Sequence, residues 1–210
     1  MQSNYEQLSE EAVNEAESAQ RPRLSRRTFV IGAGSAAVSI ACMAPHRALA
    51  SARDAGSGGT VSVVQFSPDG KKIGKVKLAK MAKSDAEWQR QLSPVSFEVT
   101  RHAATEKAYS GSTWDLHDKG IFHCICCDLP AFSSETKFES GTGWPSFWQP
   151  IAQENVVESK DTSMGMTRTA VSCPVCNAHL GHVFDDGPRP TGERYCMNSA
   201  AMRFAKLGAA

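Results

Sequence analysis

The chain has almost no charge imbalance: 23 Lys and Arg against 22 Asp and Glu leave a formal net charge of +1 over 210 residues. That balance argues against nucleic acid as the main partner, because phosphate binding needs a concentrated basic face. The one basic cluster, Lys71, Lys72, Lys75, Lys77, Lys80 and Lys83, reads as a solvated hairpin surface. An apolar run of the ~20 residues that span a bilayer is also missing. The small and apolar stretch from Gly32 to Met43 is shorter than that. Residues Met1 to Arg23 lack apolar periodicity and carry Glu6, Glu10, Glu11, Glu15 and Glu17, the composition of a disordered leader. What remains, with 41% hydrophobic residues, suffices for one globular domain with extensions.

The short apolar stretch has a specific setting. Arg26-Arg27-Thr28-Phe29-Val30 precedes it and Ala48-Leu49-Ala50 follows it, which together form the charged, apolar and A-x-A regions of a signal peptide. The arginine pair looks like a twin-arginine export signal, so residues 1–50 are expected to be cleaved after Ala50, leaving no stable membrane anchor. Cys42 then leaves with the signal. An exported, periplasmic bacterial protein that folds and takes up metal before export is the expectation.

Residues 51–80 read as an extension: a Gly/Ser-rich linker through Thr60, then a hairpin of Val61 to Phe66, the turn Ser67-Pro68-Asp69-Gly70, and Ile73 to Leu78. Its role is open. Ser84 and Glu87 form a capping box that starts a short helix through Trp88 to Leu92, ending before Pro94. From there to residue 210, short strands and Gly/Pro-rich turns predict a mainly β domain of antiparallel sheets with a few peripheral helices.

The cysteines are placed in pairs. Cys124 and Cys127 form one C-x-x-C knuckle, Cys173 and Cys176 another, the donor set of a closed four-cysteine zinc site. Two disulfides, or a thioredoxin-like redox pair at Cys173 and Cys176, are the alternatives, and the second lacks its βαβ setting. The long separation of the knuckles implies a β sheet between them, with zinc clamping its far ends. Cys126 is left over, as a core residue or as a second redox thiol.

The richest stretch runs from His179 to Ala201. Gly187-Pro188-Arg189-Pro190-Thr191-Gly192 is turn chemistry, and a strand follows it. Alternation puts Arg194, Cys196 and Asn198 on one face and Tyr195, Met197 and Ser199 on the other. A cation beside a thiol favours the nucleophilic thiolate, so Cys196 is a candidate reactive cysteine. The plain alternative is a buried small hydrophobe. His179, His182 and two aspartates, Asp185 and Asp186, lie just upstream as proton donors or relays.

This tract, together with Lys137-Phe138-Glu139-Ser140-Gly141-Thr142-Gly143-Trp144-Pro145-Ser146-Phe147, closely resembles the B-type peptide methionine sulfoxide reductases. The resemblance extends from about Trp88 to Phe204 and includes Thr100-Arg101, Thr105-Glu106, Tyr109-Ser110-Gly111 and Gly120 to Cys124. It implies a fold of two antiparallel sheets, zinc on Cys124, Cys127, Cys173 and Cys176, and Cys196 as nucleophile. His182 is then the first choice for proton donor and His179 the second, with Asp186, Arg194 and Asn198 in the active site. Trp144 receives the terminal methyl group of the substrate. The implied substrates are oxidised methionines in exported proteins. Many members carry a resolving cysteine where this chain has Thr142, so a thioredoxin-like external reductant is expected to recycle the enzyme. A metal-binding interaction module with an inert Cys196 is the competing class. It would not need Trp144, His182, Arg194, Cys196 and Asn198 together.

Overall fold

A computed structural model describes residues 58–208. The expected export signal, its expected cleavage after Ala50 and most of the linker fall outside the described residues.

The expected hairpin is present: β1 (Thr60–Phe66) pairs antiparallel with β2 (Lys72–Ala79) around the Ser67 to Gly70 turn. It is not a free appendage. Val63 and Val64 are fully buried, and the side chain of Asn155 accepts from Val64 N at 2.8 Å while its Nδ2 donates to Val64 O and Pro130 O. The chain leaving β2 is fixed as well, with Met81 N donating to Val175 O.

The first helix, α1 (Asp85–Gln91), starts at the Ser84 and Glu87 capping box and buries Trp88. Pro94 does not simply end it. Ser93 caps a second helix, α2 (Pro94–His102), with Ser93 Oγ accepting from Ser96 N and Pro94 in the first turn, where a missing N–H costs nothing. The proline thus separates two helices where one stop is expected. Helix α2 ends at Ala103, which adopts the left-handed conformation.

The remaining strands are β3 (Gly120–Cys124), β4 (Pro130–Ser133), β5 (Lys137–Phe138), β6 (Ser146–Phe147), β7 (Val157–Asp161), β8 (Arg168–Ser172), β9 (His179–Phe184), β10 (Arg194–Met197) and β11 (Met202–Lys206). They form two antiparallel sheets, ordered β5-β6-β10-β9-β8-β7 and β11-β3-β4. The mainly β architecture expected from the sequence is therefore observed, with the hairpin as a third, small sheet. Phe122, Phe132, Phe147, Leu180, Tyr195 and Met197 are fully buried in the core. Burying each such side chain is worth roughly 1.5–3 kcal/mol.

The knuckles require a correction. The first follows β3 and the second joins β8 to β9, so they belong to different sheets. A metal there ties one sheet to the other; it does not clamp the two ends of a single sheet. The reason lies in the topology, since β3 pairs with β4 and β11 and never joins the larger sheet.

Candidate active site

The register of the larger sheet builds the site. Cys196 on β10 stands directly opposite His182 on β9, and on the other side Cys196 pairs with Ser146 on β6. Along β10 burial alternates as expected, with Tyr195 and Met197 in the core and Arg194 and Cys196 half-buried on the other face. Asn198 departs from the expected alternation: the strand ends at Met197, and Asn198 begins a single 3-10 turn over Ser199–Ala201. Its side chain is still fixed, with Nδ2 donating to Leu180 O at 3.1 Å and Oδ1 accepting from Glu106 N at 3.0 Å. Gly181 permits this closeness, because a Cβ there would collide with the carbonyl oxygen of Cys196.

A cleft of about 150 Å³ opens over these strands, lined by Thr105, Trp144, Arg168, His182, Phe184 and Cys196, with Asn198 at its wall. Wider surface concavities of about 490 and 630 Å³ hold neither Cys196 nor Trp144. Trp144 sits between Gly143, in a left-handed conformation with φ +85°, and Pro145, whose carbonyl accepts from Met197 N. The indole Nε1 of Trp144 donates to Glu106 O at 3.1 Å. Glu106 is thus a junction: its backbone holds Trp144 and Asn198, and its buried carboxylate accepts from Ser199 N and Ala200 N at 2.6 and 2.8 Å.

Around the thiol the structure sets two effects against each other. Burial raises the Cys196 thiol above its ordinary range, and the Arg194 guanidinium and the Thr142 hydroxyl pull it back down. Burial is the larger, so the resting group is a thiol, contrary to the simple expectation from an adjacent cation. Arg194 is itself fixed by a two-pronged ion pair to Asp186, at 2.8 Å on each side, and lies over the Phe184 ring at 4.5 Å. Asp186 therefore touches Arg194, from an exposed position.

The two histidines separate. His182 lines the cleft and its Nε2 lies 2.8 Å from Asp161 Oδ2. The register of β8 and β9 slips at Leu180, which brings the His179 ring edge-on to His182 at 5.1 Å, but His179 lines a different concavity with Thr100, Arg101 and Asp161. Burial pushes the His179 imidazole down to about 4 and its Nε2 has no partner among the described residues, so it is uncharged at neutral pH. Asp161 and Arg168 carry no signal in the sequence. Their partner His182 is 21 residues from Asp161 and meets it only through sheet register.

At the knuckles, the Sγ atoms of Cys124, Cys127, Cys173 and Cys176 all lie within 4.8 Å of one another. The Cys124 to Cys176 and Cys127 to Cys173 separations are 3.6 and 3.4 Å, near the ~3.8 Å edge of a tetrahedron with Zn–S bonds of about 2.3 Å. Four thiols with this spacing fit a closed metal site. Cys126 is buried beside them, outside that set.

The SelR domain matches residues 92–206, which covers the whole of this site. The chain belongs to the SelR, or MsrB, family of methionine sulfoxide reductases. It is 55% identical over 125 residues to a peptide methionine sulfoxide reductase MsrB of Herminiimonas arsenicoxydans, spanning 60% of this chain and 91% of that protein. Identity is 51% over 127 residues to an MsrB of Hahella chejuensis, with 60% and 91% covered. To the chloroplastic peptide methionine sulfoxide reductase B1 of Arabidopsis thaliana it is 54% over 125 residues, with 59% and 61% covered. The SelR match starts after the hairpin, inside neither β1 nor β2.

Proposed function

We propose that the protein reduces the R epimer of methionine sulfoxide in peptides and proteins, with Cys196 as nucleophile. The observation that carries this is the cleft in which Cys196 shares a wall with Trp144 and stands directly across the strand pair from His182. The Cys196 sulfur attacks the sulfoxide sulfur while the oxygen is protonated and transferred. The products are methionine and a cysteine sulfenic acid, so the substrate sulfur gains two electrons and the Cys196 sulfur loses two. Two external thiols then return the sulfenic acid to the thiol, forming water and a disulfide.

His182 is the proton donor of this reading and His179 is not. His182 lines the cleft, whereas His179 is uncharged at neutral pH and faces another concavity. Arg194, held by Asp186, stabilises the thiolate once the substrate engages it, offsetting the burial that keeps the free thiol protonated. The Trp144 and Phe184 rings give the cleft an apolar side suited to a thioether methyl group. Asn198 and Trp144 are oriented through Glu106.

Zinc on Cys124, Cys127, Cys173 and Cys176 would close the two sheets together, and it contributes no open position to chemistry. An external thioredoxin-like reductant is supported by the neighbour of Cys196: Thr142, which has no thiol, stands there. Export by the twin-arginine route, with oxidised methionines of periplasmic proteins as substrates, rests on Arg26-Arg27 and Ala48-Leu49-Ala50.

The test is reduction of separated R and S epimers of peptide methionine sulfoxide with dithiothreitol as electron source. Turnover of the R epimer alone, lost in Cys196→Ser, is the expected result. Folded, zinc-loaded protein that turns over neither epimer would point instead to a metal-binding interaction module.

A further inference from the structure

The cleft face of the larger sheet carries a row set by register: Ser159 on β7 pairs with Ala170 on β8, Ala170 with His182 on β9, and His182 with Cys196 on β10. Directly paired residues project from the same face of a sheet, and so do residues two apart along one strand. Asp161, two residues beyond Ser159, and Arg168, two before Ala170, therefore share the face of Cys196. They also pair with each other as the last rung of β7 and β8. Ala170, the direct partner of His182, carries only a methyl group on this face, which leaves room beside it for the diagonal contact from Asp161 to the imidazole.

We propose that Asp161 is a positioning residue that fixes which nitrogen of His182 faces the substrate. The inference rests on the reductase reading above. Asp161 Oδ2 lies 2.8 Å from His182 Nε2 and accepts from Arg168 Nη2 at 2.8 Å, while Oδ1 accepts from Ser163 N at 2.9 Å. Each oxygen is engaged. The Ser163 bonds, and then the His182 contact, hold the Asp161 carboxyl far below the usual carboxylate range, so near neutral pH it accepts and cannot donate. His182 Nε2 must then carry a hydrogen, and Nδ1 is the nitrogen left for the cleft. The ring is buried, with a side-chain exposure of 10%, and is bounded by Asp161, the His179 edge and Phe184.

The consequence for catalysis is definite. A ring already carrying its hydrogen on Nδ1 could not accept the proton that the Cys196 thiol loses on attack. The bare Nδ1 of His182 takes up that proton and passes it to the sulfoxide oxygen, and the ring is left neutral with its hydrogen on Nε2. That tautomer is the one Asp161 already bonds, so the ring need not turn over between cycles. This is the role a buried aspartate plays when it holds a catalytic imidazole in one tautomer. Arg168 keeps Asp161 in place by sharing Oδ2, and it also lines the cleft.

Asp161→Asn tests this, because the amide can present N–H to Nε2 and so favour the opposite tautomer. Two readouts are needed. Nitrogen-15 NMR of histidine-labelled protein, with His182 assigned by loss of its signals in His182→Gln, should show the neutral ring protonated at Nε2 in the wild type and at Nδ1 in Asp161→Asn. With dithiothreitol, kcat for the R-sulfoxide should fall roughly 10²-fold with KM little changed, as expected when acid catalysis is lost and binding is kept. Ala170→Leu, which blocks the path between Asp161 and His182 but keeps both, should give a similar loss if Asp161→Asn proves unstable. The inference is overturned if His182 is protonated at Nδ1 in the wild type. It is equally overturned if Asp161→Asn and Ala170→Leu keep kcat within about twofold while His182→Gln loses it. Full activity in His182→Gln would instead remove the proton-donor reading itself, and absent wild-type turnover would remove the reductase reading.

Discussion

The hydroxyl oxygen of Thr142 lies 4.0 Å from the sulfur of Cys196. A thiol at this position would stand within reach of the Cys196 sulfur. In Thr142→Cys, one equivalent of methionine R-sulfoxide without reductant should end in an internal disulfide with Cys196. Wild type under the same conditions should hold a sulfenic acid that reacts with dimedone. Mass spectrometry distinguishes the two, and a dimedone adduct of equal yield in the variant would show that the two positions do not meet.

Arg194 opposes the burial that raises the Cys196 thiol. Removing the cation leaves burial unopposed, so the thiol rises further and less thiolate exists at any pH below it. Arg194→Ala should therefore shift the pH profile of Cys196 alkylation by iodoacetamide upward and slow alkylation near neutral pH. Arg194→Lys, which keeps the charge but not the two-pronged grip on Asp186, should fall between. A profile in Arg194→Ala that matches wild type would mean that the guanidinium does not act on the sulfur.

Glu106 carries two backbone N–H groups on its carboxylate, of which that of Ser199 is buried. Stranding a buried donor costs roughly 1–3 kcal/mol, so Glu106→Ala should lower the unfolding free energy in urea by about that amount. Since the same residue's backbone holds Trp144 and Asn198, kcat/KM should fall as well. Glu106→Gln retains one accepting oxygen and should lose less of both.

With zinc in the four-cysteine site as proposed, its removal should loosen the contact between sheets before it disturbs either sheet alone. Chelation, or Cys173→Ser, is expected to lower the melting temperature clearly, because the free energy of metal binding is folding free energy. Amide exchange should accelerate at the knuckles after β3 and between β8 and β9, with Cys196 alkylation following. Unchanged melting in a metal-free preparation would exclude the clamp.

Much of the fold and the site is legible in the sequence, for reasons that differ by region. The hairpin can be read because Val61, Val63 and the Ser67 to Gly70 turn follow strand periodicity and turn chemistry, both local properties. Cys196, Trp144 and the knuckles can be read because their neighbours form long ordered tracts. Helix α2 escapes notice because Pro94 reads as a stop, when Ser93 before it supplies the cap that makes proline welcome. Asp161 escapes because nothing near it in the chain points to His182; only the register of β7, β8 and β9 brings them together. The state of the Cys196 thiol is misjudged from sequence because flanking residues report charge, while burial comes from the whole fold.

Asn155 carries the last consequence. Its amide is fully buried, and it bonds both the backbone of β1 and the carbonyl of Pro130. A chain shortened to begin at residue 92 would keep every residue of the cleft and lose the strand that Asn155 holds. The amide would then face a gap where Val64 had been, and the surface under Val63 and Val64 would open to water. The catalytic tract and the stretch of chain that packs together are therefore different lengths. For anyone transplanting the repair activity into another protein, the hairpin is the part of the cargo that keeps this amide paired and these two valines dry.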